Sequence, residues 1–283
     1  MTGTTAPRLQ RADGALVLGF DGDAAGRSRL ADLYQHDPCR ALLPRPDPGE
    51  PLTAVLVTTS GGLTGGDRLR LQVTAGAGSA ALCTPQAAEK IYRAEDAVPA
   101  ALDLTLTVAA GAALEWLPQE TILFDGARLR RQIRIDLAAG DARLLAGDIT
   151  VFGRIARGER FTGGLLADHW ELRRAGRRQW VESQRLEGDI PAQLTHPAGF
   201  AGAVAQGLIL CAAPEPDAAR ARLRALIEAE AIAGAGVTLL GDLLLVRLLD
   251  ADAVRLRRHF ALFWAALRPG LGRPAAMPRL WQL

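Results

Sequence analysis

Three carboxylates occupy positions where acids are uncommon. Asp67 closes the run TTSGGLTGGDR (58–68), Asp148 lies within Leu144-Leu-Ala-Gly-Asp-Ile-Thr-Val151, and Glu182 lies within Trp180-Val-Glu-Ser183. A fourth, Glu115 in Leu114-Glu-Trp-Leu-Pro118, falls on the buried or the wet face depending on the phase of its strand. An ionised carboxylate among apolar strand residues must be paired, solvated by internal water, or bound to metal. Arginines are abundant, so pairing is the default for any one acid. Two such acids acting together could instead serve as general acid and base, which is the reading of a hydrolase or isomerase. Asp67 has a narrower choice. It either caps its turn by accepting backbone N–H groups or faces a polar cavity.

Other chemistries find little support. The four histidines, His36, His169, His196 and His259, are isolated, with no pair at metal-ligand spacing, so a His/Cys zinc cage is not expected. Cys39, Cys83 and Cys211 form no C-x-x-C. Cys83, between Leu82 and Thr84, reads as a small core residue without an adjacent base. No G-x-S-x-G elbow is present. The glycine run also fails as a phosphate cradle, which needs a helix after the glycines. Here Leu69-Arg-Leu-Gln-Val73 follows, and it alternates as a strand. The glycines are better read as a strand-to-strand turn with positive φ or close backbone approach.

The elements that position these acids are mostly extended. From about residue 52 to about 190 the period is two: Leu69, Leu71 and Val73; then Leu102, Leu104, Leu106 and Val108; then Ile133, Ile135 and Leu137. Val73-Thr-Ala-Gly-Ala77, Val108-Ala-Ala-Gly-Ala112 and Leu137-Ala-Ala-Gly-Asp141 repeat one corner at spacings of about 30 residues. Such a recurrence fits stacked strand-turn-strand layers or a series of inexpensive alanine-glycine turns. Beyond that the period changes. A helix is expected over Pro216–Glu230, with Asp217 as N-cap or first-turn acid and Gly234 or Gly236 as the stop. A buried strand is expected over Leu239–Leu249. A second helix follows from Asp250 to Leu267, with Val254, Leu256, Phe260, Phe263, Trp264 and Leu267 as its apolar stripe.

Bulk properties narrow the class further. The chain has 283 residues and a formal net charge of +2, with 33 basic and 31 acidic residues. That balance does not point to nucleic acid. Lys90 is the only lysine. The scattered cysteines suggest a reducing, cytoplasmic setting, and the first residues carry no secretory pattern. The longest apolar runs fall short of the ~20 residues that span a bilayer. The reading is one domain over 1–283, with a β-rich body to about residue 212 and a helix-containing part over about 213–283.

Five segments in order carry a more specific signal: GGLTGGDRLRLQV (61–73), CTPQAAEKIYRA (83–94), LEWLPQETILFDGA (114–127), FGRIARGERF (152–161) and MPRLWQL (277–283). The series resembles the urease accessory protein UreD family, called UreH in some bacteria. The resemblance implies a mostly β, layered, β-helical or solenoid-like fold with two α-helices near the C-terminus. It implies a non-enzymatic maturation factor that binds UreF, the GTPase UreG and apo-urease, and that forms a dimer within the accessory complex. It also implies no tightly bound cofactor, and transient passage of nickel through an internal water-filled tunnel. Carried over residue by residue, the acids of that path are Asp67, Asp148 and Glu182. Relatives often have a small residue before the Lys-x-Tyr-Arg stretch. This chain has Glu89 there, which changes the local charge if the position faces the passage. A dry interior with every acid locked to arginine would argue against the path. A module that only recruits another protein is the remaining alternative. Trp281 in the terminal segment serves either as an interface anchor or as a plug folded back on the body.

Overall fold

The computed structural model describes residues 11–138 and 140–281. The segment before Arg11, Ala139 within the third repeated corner, and Gln282 and Leu283 of the terminal motif lie outside the described residues.

Alternating strands build a coil. β1 (Asp13–Gly22) and β2 (Ser28–His36) pair antiparallel, and β3 (Cys39–Leu42) leads into β4 (Leu52–Thr58). Then come β5 (Arg68–Ala75), β6 (Ala80–Pro85) and β7 (Glu89–Ile91); β8 (Ala100–Val108), β9 (Ala113–Trp116) and β10 (Glu120–Leu123); β11 (Arg128–Leu137) and β12 (Arg143–Phe152). Each repeated corner passes the chain from one sheet to the other. β1, β5, β8, β11 and β13 (Leu165–Arg174) stack parallel in a first sheet. β4, β6, β9 and β12 stack parallel in a second. The result is a β-solenoid of about four turns, so the repeated corners do mark layers.

The C-terminal part closes the coil. β14 (Arg177–Glu187) pairs antiparallel with β13, and a short helix, α1 (Ile190–Thr195), follows. β15 (Ala205–Ala212) pairs antiparallel with β12 and with β17 (Leu243–Asp250), which in turn pairs with β16 (Ala235–Leu240). The sheet orders are β14-β13-β11-β8-β5-β1-β2 and β16-β17-β15-β12-β9-β6-β4-β3. α2 (Pro216–Ala229) and α3 (Ala253–Leu267) cover the outer face of the second sheet. There are thus three layers. One core lies between the sheets, around Leu18, Leu69, Leu104 and Ile133, and the other lies beneath the helices, around Ile209, Phe260 and Trp264.

The layering explains the sequence patterns. β5 and β11 alternate because only one of their faces is covered. β12 is buried along Leu144–Phe152 because it is covered on both faces, and it therefore shows no alternation, only an apolar run interrupted by Asp148 and Thr150.

Several expectations change in detail. Leu239–Leu249 is a hairpin, with Leu240 opposite Leu243 across Gly241 and Asp242, a two-residue turn that needs the positive φ of 61° at Gly241. α2 ends at Ala229, ahead of both glycines, and Asp217 is a first-turn acid while Glu215 holds the cap position. Val254 is 78 % exposed. It stands about 140° around the helix from the centre of the stripe, at 100° per residue. Asp252 caps α3 by accepting the N–H groups of Val254 and Arg255.

Candidate functional site: two cavities between the sheets

Where the two sheets face each other the apolar core is interrupted by two cavities. The first, of about 180 Å³, is walled by Leu16, Leu56, Leu69, Leu104, Trp116 and Ile133 and ends on Arg131 and Asp148. The second, of about 300 Å³, is lined by Asp148, Asp168, Trp170, Glu182, Gln184, Gln206 and Arg247. Asp148 belongs to both. Together they run along the sandwich from β1 and β4 to β14 and β17.

At their junction Arg131 on β11 meets Asp148 on β12 and Asp168 on β13. Nη1 and Nη2 donate to the Asp148 carboxylate at 2.5 and 2.7 Å, and Nε and Nη2 donate to Asp168 at 2.9 and 2.6 Å. Nη1 also donates to Thr121 Oγ1 at 3.3 Å. Arg131 is 4 % exposed. Burial opposes its charge, but the two carboxylates outweigh burial and hold it protonated well above the usual guanidinium range. Thr150 Oγ1 donates to Asp148 at 2.8 Å, and the Trp170 indole N–H donates to Asp168 at 3.3 Å. The group carries one net negative charge, −2 from the acids and +1 from Arg131. Farther along the second cavity Glu182 accepts from Arg247, and Gln184 and Gln206 exchange hydrogen bonds across the sheets at 3.0 and 2.7 Å.

The expected acids therefore separate. Asp148 and Glu182 line one cavity. Asp67 lines neither: its Oδ1 accepts the N–H of Ala12 and its Oδ2 the N–H of Thr64, both at 2.8 Å. It caps the turn and ties β5 to the residue before β1. Glu115 is buried, 1 % exposed, where Arg268 Nε donates to it at 2.9 Å. Burial raises its carboxyl, opposed by that arginine. Arg268 also donates to Glu50 at 2.9 Å and to the Ala276 carbonyl at 2.6 Å, so it pins the C-terminal segment to the coil.

Two residues of the junction, Arg131 and Asp168, escape a search made for acids in apolar strings. Phase marks them: Arg131 falls in step with Leu129, Ile133 and Ile135, and Asp168 with Leu166, Trp170 and Leu172, all buried.

The glycine run and the AAEKIYR stretch meet at the outer end of the first cavity. Gly61, Gly62, Glu89 and Lys90 belong to its lining. Leu63 N–H donates to the Lys90 carbonyl at 2.8 Å, and the Tyr92 hydroxyl donates to the Gly61 carbonyl at 2.9 Å. A Cβ on Gly62, at φ +144°, would stand 2.5 Å from the Tyr92 ring and 2.7 Å from the Lys90 carbonyl, so close approach requires glycine. Burial pushes the Glu89 carboxyl up to about 7, against hydrogen bonds from Thr58 and the Lys90 N–H.

The thiols are structural. Burial raises all three, Cys39 to about 11. Among the described residues no three His, Cys, Asp or Glu side chains gather around one point, and no helix is long and apolar enough to cross a membrane.

The UreD urease accessory protein family model matches residues 12–282. The chain is 45 % identical over 262 residues to the urease accessory protein UreD of Magnetococcus marinus, covering 91 % of this chain and 90 % of that one. It is 41 % identical over 278 residues to the urease accessory protein UreD of Azorhizobium caulinodans, covering 98 % and 99 %. Such matches, on a β-solenoid carrying helices on one face, define a non-catalytic maturation factor. The chain belongs to the UreD urease accessory protein family, and its part is in urease maturation.

Proposed function

We propose that the chain is a nickel-delivery scaffold that joins UreF, UreG and apo-urease and passes nickel between its two sheets. The observation that carries this reading is the pair of cavities sharing Asp148, with acids at intervals: Glu89 on the first, Asp148 and Asp168 at the junction, Glu182 on the second. Asp148 and Glu182 are the acids assigned to the path. Asp67, engaged by two backbone N–H groups, is assigned to the fold instead.

Arginine pairing sets how such a path works. Oxygen donors hold a first-row divalent ion less tightly than imidazole or thiolate. Arg131 and Arg247 lower that hold further, because an arriving ion must displace a guanidinium before it gains the carboxylate. Transit calls for sites strong enough to admit an ion and weak enough to release it. The same two features separate passage from recruitment alone, since a pure recruiting surface has no use for acids along an internal cavity.

The test is urease activation by the accessory complex. Asp148→Ala with Glu182→Ala is expected to lower nickel-dependent activation at least about tenfold while UreF and UreG still co-purify. Asp67→Ala, by contrast, is expected to lower stability by about 1–2 kcal/mol through the lost cap and to leave activation per folded complex unchanged. Full activation by the Asp148/Glu182 double variant would overturn the reading.

A further inference from the structure

We infer that the rim formed by the glycine run and β7 is the entrance of the inter-sheet cavity for a hydrated divalent cation, and that Glu89 selects for positive charge there. The inference rests on the passage reading above and adds an entry point and the residue that controls it.

The cavity has a direction. Its lining is exposed at Gly61, Gln86, Ala87 and Lys90 and buried at Leu69, Leu104, Arg131 and Asp148. Glu89 lies between these ends, half-buried, so it is the acid an ion meets first.

Its charge is uncommitted. Among the described residues two acids line this cavity, Glu89 and Asp148. Asp148 is held by Arg131, whereas Glu89 forms no salt bridge with a described residue. Its neighbours account for this. Thr58 on β4 hydrogen-bonds its carboxyl. Thr121 stands opposite it on β10, where Glu120 is engaged by Arg257 at 2.5 Å. On β3, Arg40 is bound to Asp37. On β7 itself Lys90 is exposed, beside Glu89 in sequence, and its charge opposes the burial of Glu89 without overcoming it. Cys39, the remaining titratable group of the lining, is a buried neutral thiol. Among the described residues of the lining, Glu89 is therefore the acid without a fixed guanidinium partner, and it stands at the mouth. An apolar wall behind it strengthens its field.

The rim is built to stay in place. Gly62 permits the run to lie against Lys90 and Tyr92, and the Tyr92 ring packs edge-on against Phe124 with centroids 4.9 Å apart.

The experiment measures Ni²⁺ binding to the full-length chain by equilibrium dialysis, at about one pH unit below and above the Glu89 midpoint. Wild type is expected to bind roughly tenfold more tightly at the higher pH. Glu89→Gln, close in shape, is expected to abolish most of that rise, and Glu89→Asp to restore part of it. Each variant is read only as its difference from wild type. An unchanged pH response in Glu89→Gln overturns the inference. If that unchanged response accompanies lost activation in the Asp148/Glu182 variant, passage stands and only the entrance assignment falls. If the Asp148/Glu182 variant activates fully, passage falls and the entrance falls with it.

Discussion

Single residues decide whether the interior is a core or a conduit. Arg131 sets two carboxylates against one guanidinium with no more than 11 % side-chain exposure at any of the three. Removing one member of a buried ion pair strands a charge, so Arg131→Met is expected to cost about 3–5 kcal/mol in urea unfolding. Replacing Arg131, Asp148 and Asp168 together by apolar residues should recover most of it, because the charges leave as a set. Glu89 makes the opposite kind of prediction. Burial raises its carboxyl from the ordinary 4.5 to about 7, so the folded chain keeps a proton that the unfolded chain releases. Between those two values the folded state binds more protons, and stability falls as pH rises. Melting curves across that window should flatten in Glu89→Gln relative to wild type.

Elements explain how much of this the sequence revealed. Strands with one wet face, such as Arg128–Leu137, are plain from their alternation, and so are the repeated corners that turn the coil. Strands covered on both faces lose that signal. β12 does not alternate, its apolar residues being interrupted only at Asp148 and Thr150, so its neighbours could not be read from its own residues. The Leu240–Leu243 turn was concealed in the same way, because its flanking strands are both leucine-rich and Gly241-Asp242 looks like a local interruption. The site divides along the same line. Asp148 and Glu182 stood out as acids in apolar strings. Their arginines did not, since pairing depends on which strands become neighbours, and β11, β12 and β13 meet across two sheets rather than along the chain. Asp67 was conspicuous for a different reason: a capped glycine turn and a polar cavity place the same residue types at the same spacing.

At the scale of the whole molecule the two cores are joined by buried polar pins. Trp281 is the last of them. It is 4 % exposed, its indole N–H donates to the Pro118 carbonyl at 2.5 Å, and the Arg257 guanidinium lies over its ring at 3.8 Å. It is therefore a plug on the body, and the interface reading of Trp281 gives way to that geometry. Truncation after Met277 is expected to lower the unfolding free energy by about 3–5 kcal/mol, the usual cost of losing a buried tryptophan; calorimetric melting of the truncated chain checks this.

The junction at β12 also orders events in time. Its parallel neighbour β9 precedes it in the chain, and its antiparallel neighbour β15 follows. Part of the wall around Glu182 comes from Gln206–Leu208 and Arg247–Leu249. During synthesis from the N-terminus, the ribosome exposes Asp148 and Asp168 before that wall exists. Asp148 and Asp168, one on each sheet, thus precede in the chain the strands that complete the cavity around them.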